Sequence, residues 1–247
     1  GMICGIGWFG TLLGFAALAL AMVPLGGALT RGLRPGAPHA GQSAMAALRE
    51  ALGERSFLLL ATGYFVCGFQ VVFLGVHLPS YLLDKGFSAN LGMTSLALIG
   101  LFNIAGTFLV GHCGTIYPKR YLLAFIYAMR SVVIVAFLVA PLTPLSVYLF
   151  SAAIGMLWLS TVPPTNAIVA QVFGVRYFGM LSGFVFLSHQ VGSFLGAWLG
   201  GKLFDATGSY DVVWGICIAL GIIAALANLP IDERNLEARR TAVAGRA

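Results

Sequence analysis

An all-α polytopic membrane protein of about seven transmembrane helices is the fold class this sequence predicts, and three observations predict it. The chain is 59% hydrophobic and only 9% charged, against about 25% charged in ordinary soluble domains. Its mean hydropathy is +0.93. The apolar residues fall into stretches of about 18 residues or more, each enough helix to cross a bilayer. With a net charge of +6, a soluble basic chain would suggest nucleic acid as a partner. Here the basic residues lie between apolar stretches, so they report membrane orientation and the lipid bilayer is the expected partner, not nucleic acid.

Taken in order, the spans are expected at 2–23, 57–78, 91–112, 121–140, 146–169, 178–203 and 212–229. The domain layout that follows is a first transmembrane helix within 1–29, a linker at 30–56, a six-helix bundle at 57–230 and a basic tail at 231–247. The linker opens with Arg31, Arg34, Pro35 and Pro38 and then offers a short helical pattern from Ala44 to Leu52. In the fifth span, Pro163-Pro164 removes two backbone donors and should kink or unwind the helix. In the sixth, Gly192, Gly196 and Gly200 recur every four residues, so one face is nearly bare backbone and another helix can approach closely. The stretch from Tyr177 to Tyr210 is therefore expected to organise the bundle around itself. Cys4, Cys67, Cys113 and Cys217 stand singly, with no metal-type or disulfide-framework spacing, and read as small buried spacers.

Placing the linker on the cytoplasmic side and alternating spans puts eleven Lys and Arg residues inside and two, Lys85 and Lys202, outside, with Arg130 within a span. That bias sets the N-terminus outside and the C-terminus in the cytoplasm. Arg234 to Arg246 then reads as a solvated or headgroup-binding tail.

Polar residues inside apolar spans are costly and often functional. Gln70 and His77 lie in the second span, Asn103 and Thr107 in the third, Ser160, Thr161 and Asn166 beside the proline pair, and Ser182, His189, Gln190 and Ser193 in the sixth. Each either bonds a neighbouring helix or lines a solute route. Arg130 is the most expensive, at about 2.5 kcal/mol or more unless paired. No Asp or Glu lies within a span interior, so its partner must be carbonyls, side-chain amides, water or an anionic ligand. Enzyme classes find no support: there is no Gly-x-Ser-x-Gly elbow, His77, His112 and His189 lack a His-Glu-x-x-His spacing, and no metal or other cofactor is implied. A retinal protein would need a lysine in residues 212–229, which contain none.

Several stretches together resemble the C-terminal half of a major facilitator superfamily transporter. They are Gly68-Phe69-Gln70 through His77-Leu78-Pro79, Gly100-Leu101-Phe102-Asn103, Trp158 to Pro163, Ser188-His189-Gln190-Val191-Gly192, Gly200 to Asp205, and Gly208-Ser209-Tyr210. The similarity is greatest to the bacterial monocarboxylate-porter-like and oxalate–formate-antiporter-like members. Where that family carries a Gly-x-x-x-Asp signature, this chain keeps Gly111, Lys119 and Arg120 but has Thr115 at the Asp position. The resemblance implies that the first span matches the family's sixth helix and that an N-terminal half, if encoded upstream, is a partner. It also implies that Gln70, His77, Asn103, Asn166, His189 and Gln190 line a substrate cavity; Arg130, on a helix the family makes peripheral, completes the candidate substrate-binding set as a partner for a substrate carboxylate.

The function expected on these grounds is secondary active transport of a small solute, an organic anion such as a monocarboxylate, by alternating access in a bacterial inner membrane. His189 and His77 are the candidate proton carriers, because imidazole titrates near physiological pH. The competing expectation is an inactive fragment or a membrane helper protein without independent transport.

Overall fold

The computed structural model describes residues 43–236 and scattered positions from 9 to 24, the latter all helical. The Arg- and Pro-bearing linker before residue 43, most of the first span with Cys4, and the tail beyond residue 236 lie outside the described residues.

Over residues 43–236 the regular structure is helical: α1 (Ala44–Gly53), α2 (Arg55–Asp84), α3 (Ala89–Ile116), α4 (Lys119–Val139), α5 (Pro144–Leu157), α6 (Val162–Phe173), α7 (Phe178–Thr207) and α8 (Asp211–Asn228). With α5 and α6 counted as one span, six of these are long and apolar enough to cross a membrane. The fold is an all-α polytopic bundle.

Most of the helices extend past the ends expected from hydropathy, because hydrogen bonding continues until a cap stops it. Ser43 and Ser88 accept from Ala46 N and Leu91 N at 3.2 and 3.4 Å, closing the first turns of α1 and α3. Thr143 and Ser146 form a reciprocal capping box at the start of α5, with Pro144 in the first turn. At the far end of α7, Gly208 adopts φ 68°, a left-handed cap that a side chain would strain.

Three helix pairs carry the packing: α2 on α7, α3 on α5 and α4 on α8. Glycine sets the closest approaches. A methyl group at Gly192 would strike the Phe65 carbonyl, at Gly196 the Phe69 carbonyl, at Gly68 the His189 carbonyl, and at Gly200 the His77 ring. The glycine repeat expected to admit a neighbour thus receives α2. Across α3 and α5, Gly106 meets the Met156 backbone, and a Cβ on Gly155 would lie 2.8 Å from the Ile99 carbonyl.

The central element is α2 rather than the glycine-rich α7. In its most apolar window 61% of residues are buried inside the bundle, against 22% for α7 and 17% for α3. Each of the three touches other helices, but only α2 is surrounded by them.

Two apolar clusters fill the bundle. One gathers Phe57, Tyr64, Leu123, Val169 and Leu181; the other is aromatic, with Phe73, Tyr81, Phe137, Phe150 and Trp214. Where the clusters meet along α2, Cys67 of the first and Gln70 beside Phe69 of the second begin a buried polar layer.

The ends of the bundle are identified by contacts. Residues 231–235 fold back over the start of α2, the start of α4 and the end of α6. Ser56 Oγ accepts from Asp232 N at 3.0 Å, Arg120 donates to the Ile231 carbonyl at 3.1 Å, and Asn235 donates to the Gln171 carbonyl at 3.3 Å. Arg55, Lys119 and Arg120 therefore share one end with Arg234, whose side chain pairs with Asp232 at 2.7 Å. Lys85 lies over the Tyr81 ring at the other end, where Tyr81 and Tyr210 also meet.

Candidate functional site: a broken helix and the polar residues around it

The fifth span breaks where proline chemistry requires, one turn earlier than the prolines themselves. α5 stops at Leu157, α6 starts at Val162, and Pro163 and Pro164 sit in the first turn of α6. Proline is tolerated there because the first turn has no intrahelical use for its missing N–H. Pro163 and Pro164 leave the Leu159 and Ser160 carbonyls without their usual helical donors, and the unwinding of residues 158–161 also frees the last carbonyls of α5. Inside a membrane every such backbone group needs a partner.

The partners come from three neighbouring helices. On the carbonyl side, Arg130 of α4 donates from Nε and Nη2 to the Leu157 carbonyl at 3.1 and 2.6 Å, and from Nη2 to the Trp158 carbonyl in a short contact. On the amide side, Asn103 Oδ1 of α3 accepts from Leu159 N at 3.0 Å and from Thr107 Oγ1 at 3.3 Å. From α2, Cys67 Sγ lies 3.2 Å from Thr161 Oγ1. Local bonds add to these: Trp158 N donates to the Gly155 carbonyl, Val162 N to the Leu159 carbonyl, and Ser160 Oγ to the Met156 carbonyl at 2.6 Å.

Arg130 is 1% exposed. Besides the carbonyls it donates from Nη1 to Gln70 Oε1 at 3.3 Å and from Nη2 to Cys67 Sγ at 3.6 Å. Its charge lies against the C-terminal end of α5, where the helix dipole supplies roughly half a negative charge. Of the options open in the sequence, carbonyls and a side-chain amide are the ones the geometry supplies. Gln70 is held on its other side by Nε2, which donates to the Cys217 carbonyl of α8 at 2.9 Å. It is buried and spans α2, α4 and α8.

The two histidines are placed differently. His77 is wedged against Gly200 in the α2–α7 seam, and its Nε2 lies 2.9 Å from the Ala197 carbonyl. A carbonyl can only accept, so that nitrogen carries the proton. His189 is also buried on α7, but its polar contacts are side chains: Gln190 Oε1 at 3.2 Å and Ser193 Oγ at 3.3 Å from Nδ1. Tyr64 and Phe186 flank its ring at 5.0 and 5.5 Å. Gln190 is exposed on the face of α7 that turns away from the bundle, in line with Phe186, Phe194 and Trp198. Asn166 is half-buried on α6.

The structure therefore brings Arg130, Gln70 and Asn103 together at the break, sets His189 beside Gln190, and keeps His77 apart in the seam. Two participants escaped the sequence reading. Cys67 read as a spacer, yet it bridges Arg130 and Thr161; its spacing of three from Gln70 places both on one helical face, which was the available signal. The carbonyls of Leu157 and Trp158 carry no side-chain signature at all.

This geometry belongs to a chain with recognisable relatives. An uncharacterized MFS-type transporter, YcxA, of Bacillus subtilis (strain 168) is 27% identical over 187 residues, which is 73% of this chain and 45% of that protein. The chain thus spans less than half the length of this curated relative. The family model described as Major Facilitator Superfamily matches residues 1–197. A match over most of the sequence, together with six apolar membrane-length helices among the described residues, one of them broken, places the chain in the major facilitator superfamily.

Proposed function

We propose that this chain works as the C-terminal six-helix half of a secondary active transporter for a small organic anion such as a monocarboxylate. The solute passes by alternating access between this half and an N-terminal half, with protons as the coupling ion. The observation that carries the reading is the outward face of α7. It presents Gln190 to its surroundings at the middle of a 30-residue span, next to His189 and Ser193. A primary amide facing hydrocarbon at that depth is costly. Against a second half, with a water-filled route between the two, the same amide is satisfied. The low burial of α3 and α7 supports the same interface, since such transporters rock two halves around a shared mid-membrane site.

Within this reading, Gln190, His189 and Asn166 line the route, with Asn103 at its edge. His189 is better placed than His77 to exchange a proton, because its polar partners are side chains that can reorient. The basic end holding Arg55, Lys119, Arg120 and Arg234 faces the cytoplasm of a bacterial cell, with the N-terminus outside. Reporter fusions at Lys119 and Arg176 should report the same side of the inner membrane; opposite sides would reject this topology.

The deciding experiment is uptake of radiolabelled monocarboxylates by vesicles containing this chain together with its N-terminal half. Uptake should depend on an inward proton gradient, and His189→Ala should abolish that dependence. An unchanged pH profile in His189→Ala rejects the proton role. Folded, paired halves that move no organic anion leave the membrane-helper reading in its place.

A further inference from the structure

The unwound turn between α5 and α6 is satisfied from two opposite sides, and its two flanking helices are not equally free. α5 is fixed to α3 by the glycine contacts Gly106–Met156 and Gly155–Ile99, where backbone meets backbone. α6 has 12 residues, ends at Gly174 with φ 75°, and follows a turn whose own backbone supplies few bonds. Ile168, Val169 and Val172 anchor the later turns of α6 in the core, and whatever holds residues 158–161 sets the direction in which its first turn leaves α5.

We propose that Arg130 and Asn103 form a two-sided clamp that fixes the direction of α6 and so aims Asn166, making Arg130 a positioning residue and not a solute ligand. The carbonyl side needs a donor from another helix because α5 stops at Leu157 and Val162 N turns to the Leu159 carbonyl, so the Leu157 and Trp158 carbonyls have no helical partner. Arg130 meets that need with a planar fork: Nε and Nη2 donate to the Leu157 and Trp158 carbonyls, Nη2 also faces Cys67 Sγ, and Nη1 donates to Gln70 Oε1. At 1% exposure it offers a solute no open edge. The amide side needs an acceptor, and Asn103 Oδ1 is aimed at Leu159 N with Thr107 Oγ1 donating to the same oxygen. Only the aiming of Asn166 at a solute rests on the transporter reading; the clamp does not.

The test measures the α5–α6 distance directly. Spin labels are placed at the exposed positions Leu149→Cys and Gln171→Cys of the full chain in lipid nanodiscs, with Cys4, Cys113 and Cys217 changed to serine and the fully buried Cys67 kept. A single narrow distance distribution is expected with Arg130 and Asn103 in place. Arg130→Met and Asn103→Leu should each broaden or shift it, and Arg130→Lys should restore the mean distance. Distributions as narrow and as centred in Arg130→Met and Asn103→Leu as in the parent overturn the clamp. If Arg130→Met does not fold, the half-buried Asn103→Leu decides alone.

Transport by the paired halves then separates positioning from solute binding. Arg130→Lys should lower turnover while KM stays within about twofold. A rise in KM that accounts for the whole loss makes Arg130 a solute ligand and overturns the assignment. Should the paired parent show no uptake, the transporter reading falls, and the distance measurement still judges the clamp.

Discussion

The α2–α7 seam and the α5–α6 break meet the same constraint by opposite means. In lipid, backbone polar groups must be satisfied without water. Along the seam two 30-residue helices run unbroken, and their fit is a matter of volume: glycines remove the side chains that would hold the backbones apart. At the break the helix is interrupted, and the fit is a matter of donors and acceptors supplied by Arg130 and Asn103. The closeness of the seam is set by what is missing from the sequence, with hydrogen bonds from His77 and Ser188 added across it, and the break by what is present. One is sensitive to added size, the other to lost polarity.

Substitutions can break that contrast. The largest effect is expected from Gly196→Val, because the new atoms meet the Phe69 carbonyl, which belongs to a helix that cannot yield locally. Overpacking of this kind costs about 3 kcal/mol, read as a lower unfolding midpoint by circular dichroism in mixed micelles. A midpoint within error of the parent would mean that the seam is looser than its backbone contacts indicate. Next comes Asn103→Leu, which preserves bulk but strands the Leu159 N–H. An unpaired donor costs about 1–2 kcal/mol, and the same denaturation would show it. The smallest effect sharpens the contrast from the other side. Gly183 lies on α7 with nothing within 4 Å of a built Cβ. Gly183→Ala should therefore stabilise the helix slightly, by up to about 1 kcal/mol, while the same change at Gly196 destabilises it.

Much of the fold was legible because lipid makes the signal local. Six of the expected spans coincide with membrane-length helices, and those that run longer do so because hydropathy falls before the capping residues are reached. The break in the fifth span followed from Pro163-Pro164, although its position, residues 158–161, depends on where the orphaned carbonyls find donors. The glycine repeat correctly announced a close neighbour. It did not announce that the neighbour, α2, would be the buried centre, since period and spacing describe one face of a helix and not how many other helices surround it.

The polar residues that need partners inside the spans were legible as a set and not as an arrangement. That Arg130 lacks a carboxylate partner within the spans could be read directly from composition, and so could the need for carbonyls, amides or an anion in its place. That it bonds Leu157 and Trp158, and that Gln70 links it to Cys217 of α8, joins positions as far as 147 residues apart in sequence. What the sequence alone determined is therefore which side chains cannot face lipid and which helix cannot remain whole. Tertiary structure decided who satisfies whom, because helical periodicity dictates the direction a group points along its own axis, while the partner it meets is chosen by the packing of separate helices.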